Sequence, residues 1–259
     1  MKIAVGLEYD GAEFSGWQSQ PSARTVQDSL QAALSKVADH AVTVSCAGRT
    51  DSGVHAFGQV AHFDTKVERS SRSWVLGTNV NLPPAITVTW ARPVAEDFHA
   101  RFGAISRRYR YIILNRWARP AVLRTKVTWQ RQPLDEHRMQ QAATHLLGEH
   151  DFTSFRALAC QAKNPVRRVH ELSVSREADF VYIDMHANAF LYHMVRNIAG
   201  VLMTIGAGEQ SLRWTADLLQ LRDRARGGIT APPDGLYLVH IAYPPQFGLP
   251  GETALPRYG

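Results

Sequence analysis

The first 90 residues of the chain alternate between strand and helix patterns in a fixed order. Residues 2–9 alternate apolar and polar or small side chains, which predicts a strand with one strongly apolar face. Thr25 and Asp28 suit the N-cap and third position of a helix reaching about Val37. Further strands are predicted at residues 42–46, 59–65 and 86–90, and a second helix at residues 70–79. The order strand, helix, strand, strand, helix, strand is that of a split βαβ unit with an antiparallel sheet.

The second half of the chain has similar patterns. Strands are predicted at residues 106–114, 172–175, 180–186 and 236–243, and helices at residues 135–147, 189–207 and 211–222. The tail after Pro244 has the composition of a loosely structured segment. We therefore predict an α+β protein with two domains, residues 1–100 and residues 101–259.

Composition limits where such a chain can act. Of the 259 residues, 45% are hydrophobic and 20% are charged, as in soluble globular proteins. No apolar run approaches the roughly 18 residues of a membrane span, and the N-terminus resembles a strand rather than a signal peptide. Two cysteines are too few for a disulfide framework, which favours a reducing cytoplasm. We expect a cytoplasmic protein without a membrane partner.

Positive charge is concentrated in one segment. The net charge is +6, and residues 101–131 contain nine Lys and Arg residues but no acidic one. The aromatic residues of this segment are Phe102, Tyr109, Tyr111, Trp117 and Trp129. Arginines mixed with aromatic rings suit a nucleic acid, whose phosphates need cations and whose bases need surfaces to stack on. A solvated basic face without a ligand is the open alternative.

The segment from Gly48 to Ala56 combines a guanidinium and a carboxylate on a predicted loop. Arg49 and Asp51 lie between Gly48 and Gly53, and each glycine can supply a backbone conformation that a Cβ resists. An Asp between glycines can also be an ordinary turn residue. Asp51-Ser52-Gly53 is the tripeptide of aspartic proteases as well, but their chemistry needs two carboxylates. The chain contains no second Asp-Ser-Gly or Asp-Thr-Gly.

The predicted helix at residues 189–207 is apolar nearly all round, which indicates burial. Its only formal charge is Arg196, and a buried guanidinium needs a partner, so we expect a carboxylate to meet it. An ordinary ion pair, or an Arg whose head reaches solvent, is the alternative. The sequence contains no His-Glu-x-x-His, Cys-x-x-Cys or glycine-rich phosphate loop, so we expect neither a metal nor an organic cofactor.

Four motifs, in order, resemble those of the TruA-type tRNA pseudouridine synthases, and the resemblance covers nearly the whole chain. They are the Gly48–Ala56 segment, Arg107-Arg108-Tyr109-Arg110-Tyr111, Phe190 to Asn197, and Gly235-Leu236-Tyr237-Leu238. The segments at residues 7–11 and 14–18 also match. Ser52 departs from the family, which more often has Ala there, but it touches neither charged residue of the motif.

The resemblance implies a fold, a reaction and a set of site residues. The fold would be two related ferredoxin-like halves whose antiparallel sheets join across a central cleft. A homodimer would isomerise uridine to pseudouridine at positions 38, 39 and 40 of the tRNA anticodon stem-loop, without metal or cofactor. Asp51 would be the catalytic carboxylate and Tyr109 would stack on the uracil. Arg196 would pair with the carboxylate, Arg49 would hold the flipped nucleotide or its gap, and Leu236 would line the pocket.

The chemistry of the residues agrees with this reaction. A carboxylate nucleophile can divide one difficult step into easier ones, and the base must first leave its stack. Whether Asp51 attacks the ribose C1′ or the uracil C6 stays open. A non-catalytic RNA-binding module would explain the basic segment but would not use Arg49, Asp51 and Arg196 together. A hydrolase with an aspartyl nucleophile would normally need further carboxylates.

Overall fold

The computed structural model describes residues 1–251 and 256–258. The described residues form two compact units, and most contacts of each unit are between its own residues. Unit 1 consists of residues 1–105 and 237–251, and unit 2 of residues 106–236 and 256–258. The sequence-based division at residue 100 placed all later residues in the second domain, whereas the contacts group the last strand with unit 1. The reason is its pairing with a strand of the N-terminal segment.

Unit 1 is a split βαβ sheet with one added strand. Its elements are β1 (Lys2–Tyr9), α1 (Val26–Ala38), β2 (Ser45–Cys46), β3 (His55–Asp64), α2 (Ser71–Asn81) and β4 (Ile86–Val94). The strand order is β4-β1-β3, with β2 also pairing with β3, and all of these pairs are antiparallel. The last strand (Leu236–Ala242) runs parallel to β3 and places Tyr237 opposite His55.

Unit 2 contains the remaining elements. They are β5 (Ser106–Asn115), β6 (Thr128–Gln130), α3 (Glu136–Ala143), β7 (Gly148–Asp151), β8 (Val166–Glu177), β9 (Phe180–Ala187), α4 (Met194–Gly206) and α5 (Trp214–Leu221). The last strand of the chain, which is grouped with unit 1, is called β10. The order is β5-β9-β8-β7 with antiparallel pairs, and β6 pairs with β5 in parallel. Strands and helices are mixed in both units, which confirms the α+β class.

Several element boundaries follow from local sequence signals. Thr25 caps α1 through its side chain, which accepts a hydrogen bond from the Asp28 N–H at 3.2 Å, as predicted. Ser70 caps α2 in the same way, accepting from the Ser73 N–H at 3.1 Å. These caps satisfy backbone donors that the first helical turn leaves unpaired.

Other boundaries differ from the prediction. The helix expected from residue 189 begins only at Met194, because His193 adopts a left-handed conformation with φ +61°. The helix expected up to residue 147 ends at Ala143 and tightens into a 3₁₀ turn over Thr144–Leu146. The predicted strand at residues 42–46 pairs only at Ser45–Cys46.

Strand β1 is buried on both faces, not on one. The Trp90 indole from β4 lies over Gly6, where an added Cβ would come within 2.0 Å of Trp90 Nε1. The small residues Ala4 and Gly6 therefore form the second buried face, and Ile3, Val5 and Leu7 form the first. The Trp90 side chain thus covers this second face at Gly6.

Helix α4 is the buried core helix of unit 2, as its composition predicted. It packs against α3 and α5, and its buried side chains include Met194, Val195, Ile198, Val201, Leu202 and Ile205. Gly200 permits a close approach, because a Cβ there would lie 2.0 Å from the Ile229 carbonyl oxygen. The segment before β10 therefore lies directly on α4.

The chain after Pro244 is partly ordered by hydrogen bonds within each unit. Pro245–Phe247 forms a 3₁₀ turn, and the next residue, Gly248, accepts a hydrogen bond from Arg92 at 2.7 Å. The Tyr258 carbonyl accepts from the Tyr182 hydroxyl at 2.6 Å. The prediction of a loose tail also falls on residues 252–255 and 259, which lie outside the described residues. Among the described helices, none has the length and apolarity that crossing a membrane requires.

Candidate active site

Asp51 lies in the connection between β2 and β3, and the backbone on either side of it is hydrogen-bonded. The Thr50 carbonyl accepts from the Trp17 N–H at 3.0 Å, and the Asp51 carbonyl accepts from the Val54 N–H at 3.2 Å. Gly53 N–H donates to the Phe14 carbonyl at 3.4 Å. The loop that carries Asp51 is thus fixed against the loop that follows β1, a useful property for a reacting group.

Close contact between these two loops depends on glycine. Gly16 has φ +88°, and a Cβ there would lie 2.7 Å from the Thr50 carbonyl oxygen. At Gly11 a Cβ would come within 2.0 Å of the Val54 carbonyl oxygen. Gly53 has φ +79°, which confirms its predicted special conformation, whereas Gly48 is not among the described glycines with positive φ.

A buried polar network connects the Asp51 loop to strands β1 and β3. Gln59, fully buried in β3, donates to the Gly48 carbonyl at 2.6 Å and to the Tyr9 hydroxyl at 3.3 Å. The Tyr9 hydroxyl is 2.8 Å from Thr50 Oγ1. Sequence reasoning missed this network, although a glutamine in the apolar pattern of β3 is a signal that could have found it, because buried amides need partners.

The two charged side chains of the motif differ in exposure. Asp51 is half-buried, whereas Arg49 is exposed to solvent. Both belong to unit 1 and lie two residues apart on one loop. The loop therefore combines a half-buried carboxylate with a solvent-exposed guanidinium that an anionic ligand can reach.

Tyr109 lies on β5, opposite Met185 of β9, and its side chain is 8% exposed. Its ring meets Phe190 edge to face, with ring centroids 5.0 Å apart and an interplanar angle of 81°. This contact orients the ring. Leu236, at the start of β10, is also buried, and its N–H donates to the Pro233 carbonyl at 2.8 Å.

Arg110 does not have the role that its position beside Tyr109 suggested. The basic segment at residues 101–131 suggested cations for nucleic-acid phosphates, but its residue Arg110 is buried and forms a bidentate ion pair with Asp184, at 2.7 Å for both contacts. Asp184 lies directly opposite Arg110 in the β5–β9 register, so the two side chains share one face. The Arg110 guanidinium also lies over the Tyr182 ring, 4.8 Å from its centroid. Arg110 is a structural residue.

Arg196 lies in the first turn of α4 and is half-buried. Its Nε donates to the Ala231 carbonyl at 2.8 Å, while its own carbonyl accepts from the Ala231 N–H at 3.1 Å. This pair of bonds fixes both the guanidinium and the segment that leads into β10. Asp51 and Arg49 belong to unit 1, and Tyr109, Arg196 and Leu236 to unit 2, so the pairing of Arg196 with Asp51 stays a prediction.

The described residues contain no group of three or more His, Cys, Asp or Glu side chains suited to a metal ion. The two loops carry three acidic residues, Asp10, Glu13 and Asp51, and the exposed Glu13 forms an ion pair with Arg24 at 2.7 Å. Asp10 Oδ1 accepts from the Ala12 N–H at 3.1 Å and lies 3.1 Å from His55 Nδ1, so it serves the loop structure.

Two histidines near the loops are held in their neutral form. Burial, followed by the charges of His99 and Lys2, lowers the pKa of His62 to about 4. Burial also lowers the pKa of His99. Each ring accepts backbone hydrogen bonds at Nδ1, from Ala100 in the case of His62 and from Arg101 and Phe102 in the case of His99. These bonds fix the backbone after Phe98.

Acid should therefore destabilise the protein through His62. The folded-state pKa of about 4 lies below the value near 6.5 of an unfolded histidine. Between pH 6.5 and pH 4, His62 binds a proton in the unfolded chain but not in the folded protein. Its contribution to the free energy of unfolding is therefore complete above pH 6.5 and is lost as the pH falls toward 4. We expect it to reach up to about 3 kcal/mol of the free energy of unfolding. Urea unfolding of the parent and His62→Asn between pH 4 and 7 should give a shallower pH dependence for the variant, and equal slopes would contradict the assignment.

Comparison with known proteins identifies relatives over nearly the full length. The model of a family described as tRNA pseudouridine synthase matches residues 7–103 and 142–244. A protein of Nitrosococcus oceani named tRNA pseudouridine synthase A is 62% identical over 250 residues, which are 96% of each chain. The proteins of the same name from Photorhabdus laumondii and Alcanivorax borkumensis are 58% and 56% identical. They cover 100% and 99% of this chain, which spans 98% and 97% of theirs.

Proposed function

The chain belongs to the tRNA pseudouridine synthase family, and we propose that it isomerises uridine to pseudouridine in tRNA with Asp51 as the catalytic carboxylate. The observation that carries this proposal is the Asp51 loop itself. Its backbone is fixed by Trp17, Val54 and Phe14, and it presents one carboxylate and one exposed guanidinium. A fixed carboxylate beside a cation suits an attack on a bound nucleotide.

The reaction requires no second substrate. The N1–C1′ bond breaks, the uracil turns, and a C5–C1′ bond forms, while the C5 hydrogen leaves as a proton and N1 gains one. Asp51 supplies the nucleophile that divides these steps.

We assign supporting roles to four other residues. Tyr109 stacks on the flipped uracil, and its orientation by Phe190 suits a ring that must receive a base. Arg196 pairs with Asp51, a role supported by its being the only formal charge of a buried helix. Arg49 is exposed on the catalytic loop and holds the flipped nucleotide or the gap it leaves. Leu236 is buried at the start of β10 and lines the pocket.

The proposed substrate is the tRNA anticodon stem-loop, with targets at positions 38, 39 and 40, and the proposed assembly is a homodimer in the cytoplasm. We propose two related halves with a catalytic cleft, and neither metal nor organic cofactor. In support, β1-β3-β2 of unit 1 and β5-β9-β8 of unit 2 follow corresponding orders. Mass-spectrometric mapping of pseudouridine in unmodified tRNA after incubation with the protein alone tests the positions. Product confined to sites outside 38–40 would overturn this part.

Replacing Tyr109 separates stacking from hydroxyl chemistry. Tyr109→Phe keeps the flat ring and should bind and convert the uridine within a few-fold of the parent. Tyr109→Leu should lose roughly 1–3 kcal/mol of base stacking. Single-turnover kinetics on an anticodon stem-loop measures both. A large loss in the Phe variant would instead assign the hydroxyl a part in proton transfer.

Phe190→Leu is the matched control for this series. It removes the edge-to-face partner of Tyr109 but leaves the stacking ring in place. If Tyr109→Leu acted only through lost packing, Phe190→Leu would reduce the rate as much. Equal activity of Tyr109→Leu and the parent would mean that Tyr109 does not hold the base.

A further inference from the structure

A cleft of about 290 Å³ opens beside the Asp51 loop in unit 1. Its lining includes Trp17, Gln18, Gln27, Arg49, Arg101 and Phe102. We call this the Arg101 cleft. Arg49 connects it to Asp51, two residues further along the same loop, and Trp17 connects it through the hydrogen bond to Thr50. Its volume lies near the lower end of the roughly 300–1,000 Å³ of small-molecule sites, which suits one nucleotide.

The Arg101 cleft is cationic. Arg49 and Arg101 contribute two exposed guanidinium groups, and no described residue that lines it carries a carboxylate. The other titratable side chains there stay neutral at pH 7, because burial raises the pKa of the Cys46 thiol to about 12 and lowers the pKa of His99. The charge of the cleft therefore comes from two arginines, which favours a phosphate-bearing ligand.

Phe102 gives the cleft a rigid aromatic edge. Its side chain is 78% exposed, yet its backbone is held in a tight turn. The N–H groups of Arg101 and Phe102 donate to His99 Nδ1 at 3.1 and 3.2 Å, and the Gly103 N–H donates to the His99 carbonyl at 2.8 Å. The rings of His99 and Phe102 lie 4.4 Å apart. An exposed ring on a fixed turn beside cations is a stacking surface for a base.

Two glutamines complete the polar wall. Gln27 Oε1 accepts from the Ser19 N–H at 3.0 Å, which fixes this side of the cleft. Within residues 1–251 and 256–258, the side-chain amide of Gln18 and the guanidinium of Arg49 make no hydrogen bond and no ion pair. Both groups are available to a ligand, the amide for a base edge and the guanidinium for a phosphate.

We propose that the Arg101 cleft binds the nucleotide adjacent to the target uridine, with its base against Phe102 and the phosphate that joins it to the flipped uridine between Arg49 and Arg101. This assignment rests on the proposed function, because the ligand is a neighbour of the uridine that Asp51 attacks. The cleft holds the RNA strand beside the catalytic loop, so it contributes to substrate binding and not to the chemical step. Arg101, Phe102 and Gln18 become substrate-binding residues.

The test is a double-mutant cycle on RNA binding, in which Phe102→Leu is the change in the protein and an abasic nucleotide is the change in the RNA. Phe102→Leu should weaken binding of an anticodon stem-loop by roughly 5- to 150-fold, the range for one stacked base. An abasic site at one neighbour of the target uridine should weaken binding to the parent by a similar factor. In the Phe102→Leu variant that same abasic site should cost nothing further, because the lost contact is the same one.

Arginine variants test the phosphate contact. Arg101→Gln should weaken binding and reduce the slope of log Kd against log salt concentration by about one. Arg72→Gln is the control, since Arg72 is exposed on α2, outside the cleft, and its loss changes the net charge equally. A salt slope equally reduced in both variants would overturn the Arg101 contact.

Equal abasic penalties in the parent and in Phe102→Leu, at both neighbouring nucleotides, would overturn the cleft assignment. The assignment would also be overturned if Phe102→Leu bound the stem-loop like the parent but had a different oligomeric state. The Phe102 ring would then contact another copy of the protein and not the RNA. These results are distinct from failure of the proposed function. If the parent forms no pseudouridine, the function fails, whereas an active parent with an unaffected Phe102→Leu variant removes only the cleft.

Discussion

Asp51→Asn should abolish pseudouridine formation, by at least about 10⁴-fold in kcat, while tRNA affinity stays within a few-fold of the parent. An amide cannot replace a carboxylate nucleophile, and losses of this size are typical when the reacting group itself is removed. Affinity should persist because it comes mainly from Lys and Arg contacts to phosphates. The measurement is single-turnover conversion of a tRNA substrate together with a binding titration.

The Asn variant should also fold like the parent. The hydrogen bonds that join residues 50, 51 and 53 to Trp17, Val54 and Phe14 use backbone atoms, which the substitution leaves in place. Asp39→Asn is a matched control, because Asp39 is exposed at the C-cap of α1 with φ +56°, a conformation that Asn tolerates well. Normal activity of Asp39→Asn beside appreciable turnover by Asp51→Asn would remove Asp51 from the mechanism.

Arg196→Met should lower kcat by roughly 10²–10³-fold, as removal of one hydrogen-bond donor that stabilises a reacting centre does, with little change in KM for tRNA. The proposed reason is that the Asp51 carboxylate loses its cation. The variant also loses the hydrogen bond from Arg196 Nε to the Ala231 carbonyl, so its thermal stability should fall as well. Steady-state kinetics and thermal unfolding have to be measured on the same preparations.

Arg224→Met separates these two effects. Arg224 holds the same segment through Gly228 O at 2.9 Å and Thr230 Oγ1 at 3.1 Å, but we assign it no part in catalysis. It should lose comparable stability and far less kcat than Arg196→Met. If both variants lost kcat equally, Arg196 would act only by fixing the segment before β10.

Local signals predicted the elements of the fold well. The cap at Thr25 was readable because its partner lies three residues along the chain. The apolar helix was readable because nearly every face of α4 is buried. Its start was not, since the left-handed conformation of His193 has no signature in an apolar pattern.

Candidate site residues could be proposed from the sequence, but their surroundings could not. The motif identified Asp51 and Arg49, whereas Gly11 and Gly16 owe their importance to contacts with a distant loop. The partner of Arg110 could not be predicted, because Asp184 comes from β9, 74 residues further along the chain. The exposed ring of Phe102 could not be distinguished from a core ring by sequence alone, since burial is set by the tertiary fold.

The most direct test of the central claim is the release of tritium from tRNA labelled at C5 of its uridines, with the protein as the only other component. Forming the C5–C1′ bond expels the hydrogen at C5, so the parent should release tritium in step with pseudouridine formation. Asp51→Asn should release none while still binding the RNA. Binding without tritium release by the parent would contradict the account and would leave a non-catalytic RNA-binding protein.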